Sequence, residues 1–162
     1  MLLITDNSIF CPFQINAELF SLSNSITSNY IIDEYKYQAI FDWVAENTMY
    51  DHEGQKKRDK GIQVNYKTSL ETFYSREGNC AELSFLYIVL ARASLLESNF
   101  VLVEEDCEGD EVNHACATAM DLLVDLAYQQ YGISHKKYRI LNDLEAIKKF
   151  HSYNNIGRHQ ND

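Results

Sequence analysis

The strongest constraint on the fold of this chain is the segment that begins at Cys80. Asn79 is a natural helix N-cap, and Glu82 three residues later completes the capping-box pattern that marks a helix start. Apolar residues then recur along one helical face, at Leu83, Leu86, Tyr87, Leu90 and Ala93. The pattern predicts the longest helix of the chain, over about residues 80–96, with Cys80 in its first turn.

Two more helices are predicted upstream of this segment. Residues 33–49 carry apolar side chains at helical spacing, which indicates an amphipathic helix packed on a core. A second capping box, Thr68 with Glu71, starts a short helix that Gly78 is expected to end. Between them, segment 51–61 (DHEGQKKRDKG) shows no apolar pattern. We expect a loop there, either a solvated connection or a docking site for a partner.

Strands are predicted after the long helix. The runs that favour them are 100–103, 112–119, 122–126 and 138–141, with an acidic loop over 104–111. A last helix should follow, from the N-cap pattern at residue 142 to about residue 153, before a frayed tail. Helices come first and the sheet comes after, so the predicted class is α+β. Residues 1–32 show no clear pattern; they could add strands or cover a cleft as a lid.

Composition limits the classes of function. A chain of 162 residues with 46% hydrophobic residues suits one domain, residues 1–162. Its net charge of −10 argues against nucleic acid and anionic membranes as partners. The start lacks the basic and apolar regions of a signal peptide, and no apolar run is long enough for a membrane helix, so a cytoplasmic location is expected. Nothing constrains the oligomeric state.

Cys80 is the cysteine best placed for chemistry. The four cysteines lack disulfide or CxxC spacing, so we expect reduced thiols. A thiol reacts as its thiolate, which the unpaired N–H groups and dipole of a helix N-terminus stabilise. Gly78 and Asn79 before it should provide a flexible entry to the helix. By itself, a cysteine in this position could equally be a buried structural thiol.

His114 and Asp125 are the candidate partners of this thiol. Alternation places His114, Cys116 and Thr118 on one strand face and three alanines on the other, as close packing on the long helix requires. An even-numbered turn before the next strand puts His114 and Asp125 on the same face, directly opposite or as diagonal neighbours. An odd turn would separate them. Asp125 lies in the apolar run LLVDL, so it is either buried with a partner or exposed at a strand end.

Together these residues predict a thiol catalytic triad. His114 would accept the proton of Cys80 and later protonate the leaving group, while Asp125 would orient the imidazole. The backbone N–H of Cys80 is the expected oxyanion donor, and Tyr50 or Asn47 could supply a second. Glu82 is explained by its capping role. The other histidines, at positions 52, 135, 151 and 159, are expected to be exposed in loops, a turn or the tail.

Two further patterns carry alternatives. No Lys or Arg occurs from Ala93 to His135, where nine carboxylates are found. This run is either a solvated loop or, beside a triad, a feature favouring a positively charged substrate. His114 and Cys116, with Cys80 and Cys107 nearby, could instead hold zinc, although the spacing matches no paired-ligand pattern. No cofactor and no metal are therefore expected.

Three stretches of the sequence resemble the core of the transglutaminase-like superfamily. They are TSLETFYSREGNCAELSFLYIVLARASLL, NHACATAM and LLVDLAYQQYG, which contain G-x-C-x-E opening a long helix, H-A starting a strand, and an apolar strand ending in Asp. AIFDWVAENTMYD is similar to the helix upstream in those domains, so the resemblance covers about residues 35–128. Residues 1–32 then form an N-terminal extension, and residues 129–162 add a strand and a helix.

The resemblance implies a papain-like α+β fold, with the nucleophile at the N-terminus of a central helix packed on an antiparallel β-sheet. It implies Cys80 as nucleophile, His114 as base and Asp125 as orienting acid. The family contains transglutaminases, cysteine proteases and amidases, so a peptide, protein or small amide substrate is expected without one specific activity. The alternative is a degenerate domain that serves as a protein-interaction module. Alkylation of Cys80 across pH separates the two hypotheses.

Overall fold

The structure, a computed structural model, describes residues 9–155. Its helices are α1 (Ala17–Thr27), α2 (Asp33–Asn47), α3 (His52–Asp59), α4 (Ser69–Ser75), α5 (Cys80–Ala93) and α6 (Asp143–Asn155). Its strands are β1 (Met49–Tyr50), β2 (Glu77–Gly78), β3 (Phe100–Glu105), β4 (Glu111–Ala119), β5 (Leu122–Asp125), β6 (Gln130–Ile133) and β7 (Lys137–Leu141). This arrangement is the predicted α+β class, with helices before the main sheet.

Helix α5 is the centre of the core. Its capping box forms as predicted: the Asn79 side chain accepts from the N–H of Glu82, and the Glu82 side chain accepts from the N–H of Asn79. The prediction of a single apolar face was too narrow, since nearly every residue of α5 is buried. Helices α1, α2 and α4 contact it along its length, and β4 packs against it from the side of the sheet. A helix that is apolar all round is expected in such a place.

The main sheet has five strands in the order β6-β5-β4-β3-β7, and every neighbouring pair is antiparallel. Alternation along β4 is confirmed: Ala115, Ala117 and Ala119 belong to the core cluster that contains α5, whereas Cys116 belongs to a second apolar cluster with Val101 and Val103. Small alanine side chains allow the helix to lie close to the sheet. The strand β6 was missed from the sequence.

Segment 51–61 is mostly helical, which corrects the predicted loop. Asp51 caps α3 by accepting from the N–H of Gly54 at 2.8 Å. The sequence HEGQKKRD contains no apolar residue, so hydrophobic periodicity could not reveal this helix. Strand β1, just before α3, pairs in parallel with β2, just before α5. This pairing places α3 beside the start of α5.

Gly78 also differs from its prediction. Helix α4 ends at Ser75, with Arg76 in the left-handed conformation at φ 58°, so Gly78 does not end it. Gly78 is a strand residue whose φ is not positive, and a Cβ built on it would lie 3.0 Å from Cγ2 of Thr72 and 3.1 Å from Cβ of Glu82. Close packing before Cys80, rather than flexibility, requires glycine at this position.

The termini complete the fold. Helix α1 packs on α5, where the Ser23 hydroxyl donates to the Leu90 carbonyl, so the described part of residues 1–32 adds a helix and no strand. Residues 154 and 155 belong to α6, and the remainder of the predicted frayed tail lies outside the described residues, as do residues 1–8. Between residues 9 and 155, no helix is long and apolar enough to cross a membrane.

Candidate active site

Cys80 is the first residue of α5 and is half-buried. The β1–β2 pairing holds the chain that leads into it, with the N–H of Asp51 donating to the carbonyl of Gly78 at 2.9 Å. Glu82 is buried and accepts from the N–H of Asn79 at 3.0 Å and from the N–H of Lys67 at 2.6 Å. These contacts account for Glu82 and fix the helix start, where unpaired N–H groups favour an anionic sulfur.

The β4–β5 hairpin brings His114 and Asp125 together. Its turn has two residues, Met120 and Asp121, because Ala119 pairs with Leu122. This register is even and makes His114 and Asp125 diagonal neighbours, one of the two predicted arrangements. Their side chains meet, with Nε2 of His114 lying 2.6 Å from Oδ2 of Asp125. Asp125 is fully buried, which excludes the alternative of an exposed strand end.

Asp125 accepts three hydrogen bonds. Oδ2 contacts His114 and, at 2.8 Å, Nε2 of His135, and Oδ1 accepts from the N–H of Tyr128 at 2.9 Å. Burial acts to raise the pKa of Asp125, but the hydrogen bonds and the charge of His114 outweigh burial, and the pKa is lowered. The carboxylate is therefore ionised and accepts from both imidazoles.

His135 corrects a prediction, because it was expected to be exposed and its side chain is fully buried. It follows β6 in the chain, and its Nε2 donates to Oδ2 of Asp125. Tyr128, also missed from the sequence, stacks on His114 with ring centroids 4.7 Å apart. The Tyr128 hydroxyl donates to Asp106 at 2.8 Å, so one acidic residue of the 104–111 hairpin supports the site indirectly. No sequence pattern signalled either contact.

The imidazole of His114 hydrogen-bonds to Asp125 and faces the same cleft as Cys80. Since Nε2 is occupied by Asp125, Nδ1 is left for the thiol. Burial lowers the pKa of His114, but the hydrogen bonds and negative charges of Asp125 and Cys80 raise it more, to about 10. A protonated imidazole beside a thiol is the arrangement that an ion pair between the two would need. Thus the structure brings together all three residues singled out in the sequence.

The ligands suggested for zinc from the sequence, His114 with three cysteines, are not the metal-type ligands that lie together in the structure. In the described part of the chain, three metal-type ligands lie within 4.8 Å of one another: His114, Asp125 and His135. None of the cysteines belongs to this group. Cys116 is fully buried, and burial strongly raises the pKa of its thiol, so it is a poor metal ligand and nucleophile. The three ligand atoms could hold a metal ion only by giving up their mutual hydrogen bonds.

Cys80 and His114 line one cleft of about 470 Å³. Its other walls come from α3, α5, α6, the adjoining strands and Tyr66. None of the nine carboxylates between Ala93 and His135 lines this cleft, and none of residues 9–32 covers it as a lid. Apart from the Cys80–His114 pair, the charged residues among its described lining are Arg58, Asp59 and Lys149. The acidic run therefore lies outside the cleft itself.

Asn47 and Tyr50, the two residues suggested as a second oxyanion donor, lie in different surroundings. The side-chain amide of Asn47 is exposed and donates to the carbonyl of Trp43, which leaves it unsuited to the task. Tyr50 is half-buried, and burial first and then the charge of Cys80 raise the pKa of its hydroxyl to about 12. It lines a second cavity of about 300 Å³ beside α5. Of the two residues, only Tyr50 remains a candidate donor.

Comparison with a solved structure supports this description of the fold. The crystal structure of a proposed cysteine protease from Cytophaga hutchinsonii has a TM-score of 0.51 and 19% identity, over 83% of this chain and 52% of that chain. A proposed protease from Parabacteroides distasonis has a TM-score of 0.46 and 12% identity, over 74% of this chain and 28% of that chain. This chain thus spans about half the length of the first protein and less of the second. No curated protein matches it.

The central helix on an antiparallel sheet, with a thiol at the helix N-terminus, defines a papain-like α+β fold. The family model of the transglutaminase-like superfamily matches residues 21–132, more than half of the chain. The chain belongs to the transglutaminase-like superfamily. The match begins within α1, so it extends further toward the N-terminus than the resemblance seen in the sequence.

Proposed function

We propose that this protein is a cysteine-nucleophile acyl-transfer enzyme acting on an amide or peptide bond. The observation that carries the proposal is the position of the His114 imidazole. It lines one cleft with Cys80 and donates to buried Asp125 at 2.6 Å. Cys80 is the proposed nucleophile, His114 the acid and base, and Asp125 the residue that orients the imidazole. Family membership supports this class of function without selecting one substrate.

The proposed reaction has two halves. The Cys80 thiolate forms a bond to the carbonyl carbon, and the backbone N–H of Cys80 stabilises the developing oxyanion. The carbon–nitrogen bond breaks as His114 gives its proton to the leaving amine, which leaves a thioester. Water then attacks the carbonyl carbon of the thioester while His114 takes a proton from the water. The carbon–sulfur bond breaks, which releases the carboxylic acid and regenerates the Cys80 thiolate. An amine in place of water gives acyl transfer.

The test is alkylation of Cys80 by iodoacetamide between pH 5 and 9, followed by mass spectrometry of the peptide that contains Cys80. We expect the wild type to react rapidly at pH 6 and His114→Ala to react about 100-fold more slowly there, as an ordinary thiol does. Asn113→Ala, an exposed change beside His114 in the same cleft, should leave the profile unchanged. Identical profiles for wild type and His114→Ala would favour the interaction-module alternative.

A second experiment separates hydrolysis from transfer. A glutamine-containing peptide is incubated with the protein and a labelled primary amine, with Cys80→Ser as the control. Incorporation of the amine indicates a transglutaminase, whereas release of acid or peptide fragments alone indicates a hydrolase.

The cytoplasmic location remains a prediction.

A further inference from the structure

The half-buried side chain of Arg58 lines the proposed active-site cleft without an anionic partner. Arg58 comes from α3, and its neighbours Lys56, Lys57 and Lys60 are exposed. Its guanidinium lies over the ring of Tyr66, with Cζ 4.8 Å from the ring centroid, and Nη2 donates to the carbonyl of Val64 at 3.2 Å. The one arginine of the basic 51–61 segment therefore points to the cleft.

Arg58 has unused hydrogen-bonding capacity. Its Nε and Nη1 atoms are buried and have no hydrogen-bond partner among the described residues. No carboxylate of the described residues forms an ion pair with it either. Buried charged donors are almost always paired, because an unpaired one loses its hydration without compensation. A missing anionic acceptor is the simplest physical account of this arrangement.

The charge of the cleft points to the same kind of ligand. Lys149, on α6, adds a second positive charge to its lining. Asp59 is the sole carboxylate among the described lining residues, and it already accepts from Nε2 of Gln55 at 2.9 Å. The cleft is thus locally positive in a chain of net charge −10. This contrast attracts anions to the neighbourhood of Cys80.

We infer that Arg58 binds a carboxylate of the substrate, so that the substrate is an amide or peptide with a carboxylate near the bond that is cleaved. Guanidinium is well suited to carboxylate recognition because it is planar, permanently charged and rich in donors. The inference rests on the proposed function of Cys80 and names the substrate class for that site. This inference predicts a negatively charged substrate, whereas the acidic run between Ala93 and His135 suggested a positively charged one.

Two alkylating reagents test this inference without knowledge of the substrate. Iodoacetate carries a carboxylate and iodoacetamide is its neutral counterpart, so the ratio of their rates at Cys80 reports recognition of the anion. We expect Arg58→Gln to lower the iodoacetate-to-iodoacetamide ratio about tenfold or more, and Arg58→Lys to lower it less. Lys57→Gln removes the same charge from an exposed position on α3 and should change the ratio less than twofold.

The wild-type protein provides an independent measurement. N-acetylglycine should protect Cys80 from iodoacetamide at a concentration at least about tenfold lower than N-acetylglycinamide, which lacks the carboxylate. Equal protection by the two, or an equal loss of both alkylation rates in Arg58→Gln, would overturn the role of Arg58. Failure of wild-type Cys80 to react with either reagent at neutral pH would instead contradict the proposed enzyme. The two failures are therefore distinguishable.

Discussion

Nε2 of His135 lies 2.8 Å from Oδ2 of Asp125, and both side chains are completely buried. His114 contacts the same oxygen at 2.6 Å, so one carboxylate oxygen accepts from two imidazoles. A triad needs only one of these contacts. His135 adds a second donor that helps hold the carboxylate in its ionised form and in a fixed orientation, which makes it a positioning residue for His114.

Replacement of His135 should weaken the site through Asp125. His135→Leu removes the donor, so the pKa of Asp125 should rise and the acidic limb of the Cys80 alkylation profile should move to higher pH. We expect the alkylation rate at pH 6 to fall about tenfold. His135→Gln keeps an amide donor and should retain most of the wild-type rate. Equal effects of the two variants would indicate packing rather than positioning.

Loss of the Asp125 carboxylate should destabilise the fold. Asp125→Ala leaves two imidazole N–H groups and the N–H of Tyr128 without their acceptor in a buried site. We expect the free energy of unfolding to fall by about 3–5 kcal/mol, measured by urea denaturation at pH 7. Asp121→Ala, in the exposed turn of the same hairpin, should change it by less than about 0.5 kcal/mol. Similar losses for both variants would contradict the prediction.

Stability should also depend on pH through His114. Its pKa is raised from 6.5 to about 10 in the folded protein, so its contribution is complete below about pH 6.5 and is lost as pH rises through 10. The difference in unfolding free energy between wild type and His114→Gln should therefore be larger at pH 6 than at pH 10, by at least about 1 kcal/mol. Asn113→Gln introduces no titrating change and should show a constant difference. A constant difference for His114→Gln would contradict the charged imidazole.

Gly78 tests the packing in front of Cys80. Gly78→Ala places a methyl group 3.0 Å from Cγ2 of Thr72, so we expect a loss of about 1–3 kcal/mol in unfolding free energy, measured by urea denaturation. Thr72→Ser removes that methyl group while keeping the hydroxyl bond to the Thr68 carbonyl. The double variant should recover part of the loss relative to the sum of the single variants. Strict additivity would show that another contact limits the site.

The start of α5 and the β4–β5 hairpin could be predicted because local rules determine them. The capping box of Asn79 and Glu82 places Cys80 in a first helical turn whatever surrounds it. Side chains alternate along strands, so a two-residue turn suffices to put His114 and Asp125 on one face. Both rules act between residues close together in the chain. The sequence left the parity of the turn open, and the pairing of Ala119 with Leu122 decided it.

The contacts that complete the site depend on tertiary structure. His135 reaches Asp125 only because β6 pairs with β5, and β6 has no pattern that marks it as a strand. Arg58 lies in a helix without apolar residues, whose position depends on the pairing of β1 with β2. Burial, charge and hydrogen-bond partners come from segments distant in the chain, and short-range periodicity contains no signal for them. The sequence by itself thus specified the candidate thiol, imidazole and carboxylate, whereas tertiary packing decided which side chains support them and which charge the cleft presents.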